Sequence, residues 1–246
     1  MVSFQPAAIF VFNLIMQFDI ITLFPKIFDS YLNETILKRA QGKGLVSIKV
    51  HNLRDYSADK HKTVDDKPFG GGPGMILKIE PIYRCLQKLT GQDLLKRKKL
   101  KKKKELIIAF DPAGKTFDQK TAQKFSKARR IILLAGRYEG FDHRVYKIVD
   151  QRISIGDYVL SGGELPALVI AEAVSRLIPG VIGHSAETLR EETFSFDDQD
   201  YIEYPQYTRP EIFEPFRGAR WKVPKVLLSG HHQKIRKWRQ SRLKKK

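Results

Sequence analysis

The sequence predicts an α/β domain with a mostly parallel sheet, followed by a small helical module. Three short runs are continuously apolar and are each followed by a turn residue or a glycine: 18–24, 106–110 and 131–135. Such runs are typical of parallel strands that are covered on both faces. Helical patterns separate the runs, and this alternation of strand and helix predicts a parallel sheet with helices packed on it.

The first strand, 18–24, precedes a helical pattern over 26–41. Pro25 lies at the start of that pattern, where its missing N–H costs little. A further strand is predicted over 45–51, because this segment is rich in Val, Ile and Leu.

Three more helical patterns follow along the chain. One covers 79–90 with Pro81 in its first turn, and another covers 117–128 between the second and third apolar runs. The last is apolar and covers 165–178, where a Pro-Gly pair ends it.

Composition divides the chain into four parts. Residues 1–15 form an apolar appendage that we expect to be disordered, since they fit neither a secretory signal nor a membrane span. The α/β domain is expected over 16–183. Residues 184–203 are polar, acidic and unperiodic, which is typical of a linker, and 204–246 are expected to form the small helical domain.

Two short blocks account for most of the net charge of +18. Residues 96–104 and 234–246 each contain eight basic residues and no acidic residue. The first block is typical of a solvated loop, since like charges repel one another. In the second block Ile235 and Trp238 interleave with basic residues, which suits a helix with a basic flank. This pattern favours a polyanionic partner, with nucleic acid ahead of a membrane.

The single cysteine, Cys85, excludes an intramolecular disulfide and a cysteine-based metal site. The six histidines also lack the spacing of a metal site. We therefore expect a cytoplasmic protein without a metal centre of this kind and without a membrane partner.

Two glycine-rich segments predict places where the backbone approaches a ligand or another chain closely. They are Val64–Met75 and Ser154–Glu164. A lone glycine pair more commonly marks a turn, but two long and chemically mixed segments favour binding. The loops 111–114 and 136–140 follow predicted strands, and ligands collect at the carboxyl ends of parallel strands. These loops and the second segment predict one pocket for a reactive cofactor, with chemistry mainly by positioning.

Two nucleotide-binding motifs are absent despite partial similarity. Gly114-Lys115-Thr116 imitates the end of a P-loop, but Ala109 stands where that motif requires glycine. In the first glycine-rich segment, Met75 stands where the dinucleotide fingerprint requires its last glycine. Neither an NTPase nor a Rossmann dehydrogenase is supported.

Six motifs, taken in order, closely resemble the bacterial tRNA (guanine-N1-)-methyltransferase family, which modifies guanine 37 beside the anticodon. They are Val64–Met75, Gly136–Gly140, Ser154–Glu164, Ser175–Gly180, Tyr204–Pro210 and Ser229–His231. The resemblance runs from about Met16 to about Arg239.

The resemblance implies a SPOUT-type fold, in which the chain forms a deep C-terminal trefoil knot at the cofactor site. General rules of chain connection argue against a knot, so only the resemblance supports it. It also implies a homodimer with active sites between the subunits. The implied cofactor is S-adenosylmethionine, held by residues that match the family's motifs: Phe110, Pro112, Gly136, Glu139, Gly140, Ile155, Gly156, Tyr158, Leu160, Gly162 and Gly163. Glu139 matches a family glutamate associated with magnesium dependence.

The implied chemistry needs a base and a cation. Guanine N1 is a poor nucleophile until it loses its proton, which a nearby carboxylate can accept. The resemblance assigns this role to Glu192, where the family usually has aspartate, and Glu191 and Asp197 are rival bases. Arg176 matches the arginine that stabilises negative charge on guanine O6.

The expected partner is the anticodon stem-loop of tRNA. The residues expected to contact it are Gly74, Arg209, His231, Arg236 and Trp238. Two alternatives stay open: a related knotted methyltransferase that acts on another RNA site, and a non-catalytic RNA-binding protein. Arg176 together with Glu192, and the segment 204–210, favour the tRNA guanine-N1 methyltransferase.

Overall fold

The computed structural model describes residues 15–95, 104–182, Phe194 and 201–245. The chain forms two compact units, one up to residue 183 and one from residue 184. The expected appendage over 1–15 lies outside the described residues except for Ile15. The same holds for the basic block 96–104 except Lys104, and for most of the expected linker over 184–203.

A five-stranded parallel sheet forms the centre of the first unit. The strands of this unit are β1 (Met16–Thr22), β2 (Val46–Asn52), β3 (Asp65–Asp66), β4 (Ile76–Leu77), β5 (Glu105–Thr116), β6 (Arg130–Leu134) and β7 (Gln151–Ser154). The sheet has the order β2-β1-β6-β5-β7, and all four pairings are parallel. The short strands β3 and β4 pair antiparallel and flank the first glycine-rich segment. The predicted α/β fold with a mostly parallel sheet is confirmed.

Five α-helices connect and cover these strands. They are α1 (Asp29–Leu32), α2 (Thr35–Gly42), α3 (Ile79–Thr90), α4 (Gln119–Phe125) and α5 (Glu164–Ser175). Helix α3 covers the predicted range and ends at Gly91, whose φ of 64° gives a left-handed cap. The helix predicted over 26–41 is instead divided into a 3₁₀ turn, α1 and α2. The break falls between Leu32 and Thr35, and Thr35, the first residue of α2, has a φ of 48°, outside the right-handed helical region.

Strand β5 is longer than the predicted 106–110 and contains a bulge. Phe110 and Lys115 both pair with Ile153 of β7, so residues 111–114 have no ladder partner on that strand. The expected loop at 111–114 is therefore a bulge within β5. Strand β7 was not predicted, because its four residues begin with the polar pair Gln151 and Arg152.

The sheet separates two apolar cores. On one face, Phe18 and Ile20 of β1 belong to a cluster with Ile170 of α5. On the other face, Ile21 of β1 belongs to a cluster with Ile82 of α3. This division follows from the alternation of side chains along a strand. Both faces are covered, which explains why the central parts of the strands are mostly apolar.

Asp19 is a buried charge in the middle of β1, with 1% of its surface exposed. One carboxylate oxygen lies 2.6 Å from His51 Nε2, and the other accepts a hydrogen bond from Arg130 Nε at 2.7 Å. Burial alone raises the pKa of Asp19, but the hydrogen bonds and charges of His51 and Arg130 outweigh burial and hold its pKa below the usual value.

Replacement of Asp19 by Asn should destabilise the protein at pH 7. The folded-state pKa of Asp19 lies below its unfolded value, so its stabilising effect is present above about pH 4 and is lost as the pH falls toward the folded pKa. Removal of one partner from a buried ion pair should lower Tm by roughly 5–10 °C. Thermal unfolding between pH 3 and pH 7 measures both effects, and the variant should show a weaker loss of Tm in acid.

Asp55→Asn is the matched control, because Asp55 pairs with Lys62 on the surface and 61% of its side chain is exposed. We expect a change in Tm near zero for this variant. Equal losses for Asp19→Asn and Asp55→Asn would show that the buried network does not stabilise the fold.

The second unit combines short helices and short strands. Its described residues form β8 (Tyr201–Ile202), β9 (Ile212–Phe213), β10 (Trp221–Lys222), α6 (Lys225–Leu228), α7 (His232–Arg242) and β11 (Lys244–Lys245). Strand β8 pairs with β11 and β9 with β10, both antiparallel. The region 204–246 therefore contains strands in addition to the predicted helices. Neither α6 nor α7 contains a buried residue.

Within the part of the chain that the structure describes, every helix is too short or too polar to cross a membrane.

Candidate active site

A cavity of about 220 Å³ lies where β6 and β7 end and β5 bulges. Three segments form most of its wall: the bulge of β5, the loop 136–140 after β6, and residues 153–163 at and after the end of β7. The carboxyl ends of parallel strands are the usual ligand site of such a sheet.

All eleven residues expected to contact the cofactor line this cavity. They are Phe110, Pro112, Gly136, Glu139, Gly140, Ile155, Gly156, Tyr158, Leu160, Gly162 and Gly163. Asp111 and Arg137 also line it and were not predicted as site residues. The fold thus brings together segments that are distant in the sequence.

The loops after β6 and β7 meet through their backbones. The Gly163 N–H donates a hydrogen bond to the Gly136 carbonyl at 2.8 Å, and Arg137 and Gly162 form an antiparallel bridge. A Cβ atom on Gly163 would lie 2.7 Å from Ala135 Cα and 2.9 Å from Gly136 N. Only glycine fits at position 163, because backbone atoms cannot move aside as a flexible side chain can.

Other close contacts fix the bulge of β5 and the turn directly after β7. A Cβ atom on Gly114 would lie 2.6 Å from Ile153 N, so the bulge of β5 lies directly over β7. After β7, the Ser154 hydroxyl accepts a hydrogen bond from Gly156 N at 3.2 Å and donates one to Gly156 O at 2.9 Å. The segment after β7 therefore turns sharply into the cavity wall.

Glu164 is a buried acid that joins three elements beside the cavity, with 2% of its surface exposed. It accepts a hydrogen bond from Thr22 Oγ1 at 2.8 Å and pairs with Arg137 Nε at 2.9 Å. The Arg137 guanidinium lies 4.6 Å from the centre of the Phe24 ring. Glu164 also begins α5, where the helix dipole favours a negative charge. The sequence contained a signal for this residue, since Glu164 directly precedes the apolar helix predicted over 165–178.

Glu139 connects the cavity to the first glycine-rich segment. Its backbone N–H donates a hydrogen bond to Met75 O at 3.0 Å. A Cβ atom on Gly74 would lie 2.6 Å from Glu139 Cγ, and the φ of Gly74 is +80°. Gly74, expected to contact the substrate, therefore lies beside a residue of the cavity wall.

Of the two expected catalytic residues, only Arg176 is among the described residues, and it does not line this cavity. Arg176 follows the last residue of α5, and its N–H donates to Glu172 O at 3.0 Å. Gly163, which lines the cavity, lies directly before the other end of α5. The 12 residues of α5 span about 18 Å. Arg176 is therefore distant from the cavity of its own chain. Glu192 and its rivals Glu191 and Asp197 lie outside the described residues.

The other residues expected to contact tRNA lie in the second unit. Trp238 of α7 packs at 6.4 Å from the Tyr207 ring and lies under the Arg242 guanidinium. His231 caps the start of α7, and Arg209 and Arg236 are exposed. Trp238 is thus both a packing residue and part of a basic helix.

No group of three or more His, Cys, Asp or Glu side chains in the described ranges is arranged to hold a metal ion.

Fold and cavity together define an α/β protein with a cavity between loops at the carboxyl edge of a parallel sheet, the usual place of a small-molecule site in this class. Comparison with known families gives a more specific result. The chain belongs to the tRNA (guanine-1)-methyltransferase TrmD family, whose model matches residues 16–246. The resemblance seen in the sequence motifs is therefore confirmed.

Individual relatives agree with this family. The chain is 49% identical over 231 residues to a tRNA (guanine-N(1)-)-methyltransferase of Dictyoglomus turgidum, covering 94% of this chain and 86% of the relative. It is 48% identical over 224 residues to the Clostridium novyi protein of the same name, covering 91% and 85%. A solved structure, the tRNA (m1G37) methyltransferase from Aquifex aeolicus, matches with a TM-score of 0.70 at 38% identity and covers 91% of this chain and 87% of that chain.

Proposed function

We propose that the protein transfers a methyl group from S-adenosylmethionine to N1 of guanine 37 in tRNA. The family and the names of the relatives support this activity. The observation that carries it is the cavity, whose walls are formed by all eleven residues expected to hold the methyl donor.

The residues of the cavity fit such a donor. Gly136, Gly162 and Gly163 line the wall without a side chain of their own, so a ligand can approach the backbone closely there. Two carboxylates in the wall, Asp111 and Glu139, suit a cationic ligand. When bound, the sulfonium supplies an activated methyl group. The protein then has to align guanine N1 with that group and exclude water.

Two residues of this chain would act on the guanine. Glu192 would accept the N1 proton as general base, and Arg176 would stabilise the negative charge that moves to O6. The length of α5 keeps Arg176 away from the cavity of its own chain, so this chemistry requires a site completed by a second chain. Glu139, which the resemblance associates with Mg²⁺, would contribute to placement of the donor.

We propose that the protein is a homodimer with active sites between the subunits. Leu165 and Val169 are exposed and lie four residues apart on one face of α5. Ile27 and Tyr31 are exposed beside them, and the Tyr31 hydroxyl donates a hydrogen bond to Glu172 of α5. A second copy that covers this apolar patch would remove it from water.

Leu165→Asp with Val169→Asp should therefore convert the dimer to a monomer of about 28.4 kDa in sedimentation experiments. Methyl transfer should decrease when the dimer dissociates, because Arg176 would no longer reach the cavity of the second chain. Leu95→Asp is the control, since Leu95 is exposed outside this patch. A wild-type monomer with full activity would contradict the shared site.

The proposed fold includes a deep C-terminal trefoil knot. In the sheet, β5 lies between β6 and β7. The chain after β7 nevertheless crosses to the end of β6, where Gly163 bonds to Gly136. This crossing supports the knot that is implied for the family. In the proposed organisation, the knotted domain covers 16–183, the linker 184–203 and a small, largely helical tRNA-binding domain 204–246.

The proposed partner is the anticodon stem-loop of tRNA. Residues 201–245 contain twelve basic and three acidic residues, a strong excess of positive charge. The residues proposed to contact the tRNA are Arg209, His231, Arg236 and Trp238 in the second unit and Gly74 in the first. A surface of this charge suits a phosphate backbone.

Affinity for tRNA should fall steeply with salt, because basic residues that neutralise phosphates release counterions. Lys244, Lys245 and Lys246 should be replaced by Gln rather than deleted, since β11 pairs with β8 through its backbone. This triple variant should bind more weakly and show a salt slope smaller by about 2. Filter binding across a salt series measures the slope. An unchanged slope would mean that the tail does not contact tRNA.

Methyl transfer to defined tRNAs tests the function. Recombinant protein and labelled S-adenosylmethionine should modify a tRNA with guanine at positions 36 and 37, and nuclease digestion followed by mass spectrometry should show 1-methylguanosine at position 37. The variant with adenine at position 37 should not be modified. Methylation at another nucleotide would favour a related methyltransferase, and binding without transfer would favour an RNA-binding protein.

A further inference from the structure

Glu164 is a buried carboxylate to which the proposed transfer chemistry gives no role. It lies directly against the cavity wall, because a Cβ atom on Gly162, which lines the cavity, would lie 2.5 Å from Glu164 Oε2. Only 3% of the Glu164 side chain is exposed. Water and salt screen a buried charge weakly, so its effect on a ligand in the cavity is larger than that of a surface charge.

Thr22 and Arg137 hold this carboxylate in place. The Thr22 hydroxyl donates a hydrogen bond to Glu164 Oε1 at 2.8 Å and accepts one from Phe24 N at 3.0 Å. Arg137 Nε lies 2.9 Å from Glu164 Oε2 and 3.1 Å from Glu164 Oε1. Both partners donate to Glu164, so position 164 requires a side chain that accepts hydrogen bonds.

Arg137 brings a positive charge to the cavity wall. It lines the cavity, and 23% of its side chain is exposed. S-adenosylmethionine carries a positive charge on its sulfur, and like charges repel each other. The Glu164 carboxylate is in direct contact with the Arg137 guanidinium and therefore offsets this repulsion.

The balance of charge around the cavity depends on Glu164. Three charged residues line the cavity, namely Asp111, Arg137 and Glu139. Asp111 pairs with Arg152 Nη1 at 3.5 Å, as Arg137 pairs with Glu164. These five side chains comprise three carboxylates and two guanidinium groups, an excess of one negative charge that suits a cationic ligand. Without the charge of Glu164 the excess disappears.

We propose that Glu164 is a specificity-determining residue: by neutralising Arg137 it raises the affinity of the cavity for the charged methyl donor relative to the uncharged product. The proposal rests on the proposed function of the cavity as the donor site. Transfer of the methyl group to guanine N1 leaves S-adenosylhomocysteine, a neutral thioether that otherwise has the same groups as the donor. A charge at the wall therefore acts on the donor and has little effect on the product.

Glu164→Gln tests this role, because the amide keeps the size of the side chain and an acceptor for Thr22 but loses the negative charge. Calorimetry should show a Kd for S-adenosylmethionine raised about tenfold and a Kd for S-adenosylhomocysteine changed by less than about twofold. The ratio of the two Kd values is the readout, since a distorted cavity would weaken both ligands alike. Glu105→Gln is the matched control. Glu105 also pairs with an arginine, Arg130, at 3.2 Å, but it lies at the amino end of β5, away from the cavity.

Arg137→Gln should shift the ratio in the opposite direction, because it removes the positive charge and leaves that of Glu164. In the double variant Glu164→Gln with Arg137→Gln both charges are absent, so the ratio should return to that of the wild type. Arg137 is partly exposed, so Arg137→Gln also keeps the proposal testable if Glu164→Gln does not fold.

Equal increases of both Kd values in Glu164→Gln would overturn the proposal and show that Glu164 acts only on the shape of the wall. A ratio that rises in Arg137→Gln would also overturn it. Wild-type protein that binds neither ligand would overturn the proposed function, and the role of Glu164 with it. Wild-type binding of both ligands with an unchanged ratio in every variant would overturn the role of Glu164 alone.

Discussion

Gly163→Val is expected to abolish binding of S-adenosylmethionine while the circular dichroism spectrum stays that of a folded protein. A Cβ atom at this position would meet Ala135 Cα at 2.7 Å and Gly136 N at 2.9 Å. The loops after β6 and β7 would have to separate, which would break the hydrogen bond from Gly163 N to Gly136 O. Both loops form the cavity wall, so the donor site would be lost.

The measurement is calorimetric titration with S-adenosylmethionine, and a graded series sharpens it. Gly163→Ala should weaken binding less than Gly163→Val, because its side chain is smaller. Gly42→Ala is the control, since a Cβ atom there has no neighbour within 4 Å. Donor affinity like that of the wild type in Gly163→Val would remove the segment after β7 from the binding site.

Glu192→Gln should slow methyl transfer by about 10²-fold or more, the range typical of the loss of a general base. The amide keeps the size and hydrogen bonding of Glu192 but does not accept the N1 proton. Affinity for S-adenosylmethionine should change little, because the role proposed for Glu192 is to accept the proton of guanine N1 and not to hold the donor. Glu192→Asp should retain substantial activity, since it keeps the carboxylate.

Single-turnover rates at saturating donor distinguish Glu192 from its rivals. The matched variants are Glu191→Gln and Asp197→Asn, which remove neighbouring carboxylates of the same segment. If Glu192→Gln transfers methyl at a near-normal rate and one of the other two variants is much slower, the residue changed in that variant is the base.

Elements with a strong local pattern were predicted well from the sequence. The buried strands β1 and β6 are mostly apolar, and α3 has an apolar face and a glycine at its end. Strand β7 could not be predicted, because Gln151 and Arg152 show no hydrophobic pattern. They belong to the sheet through backbone pairing with β5. The bulge of β5 escaped prediction for a similar reason, since its position depends on pairing with Ile153.

The cavity was predictable because it follows from a rule of topology. Segments that follow parallel strands meet at one edge of the sheet, so the positions of the glycines sufficed to group them. The side chains that hold those segments were not predictable. Glu164 and Arg137, for example, meet only through tertiary packing.

The backbone contact between Gly163 and Gly136 has a consequence for drug resistance. Consider a compound that competes with the donor by hydrogen bonding to main-chain atoms of these loops. Every point mutant would present the same main-chain atoms to this compound. A resistant variant could not remove such a contact by exchanging a side chain, because position 163 tolerates no larger residue without losing the natural ligand as well. Escape would have to come from side chains at the rim, such as Tyr158 or Val159, which are exposed. Inhibitors that avoid those two residues should therefore retain potency longest under selection.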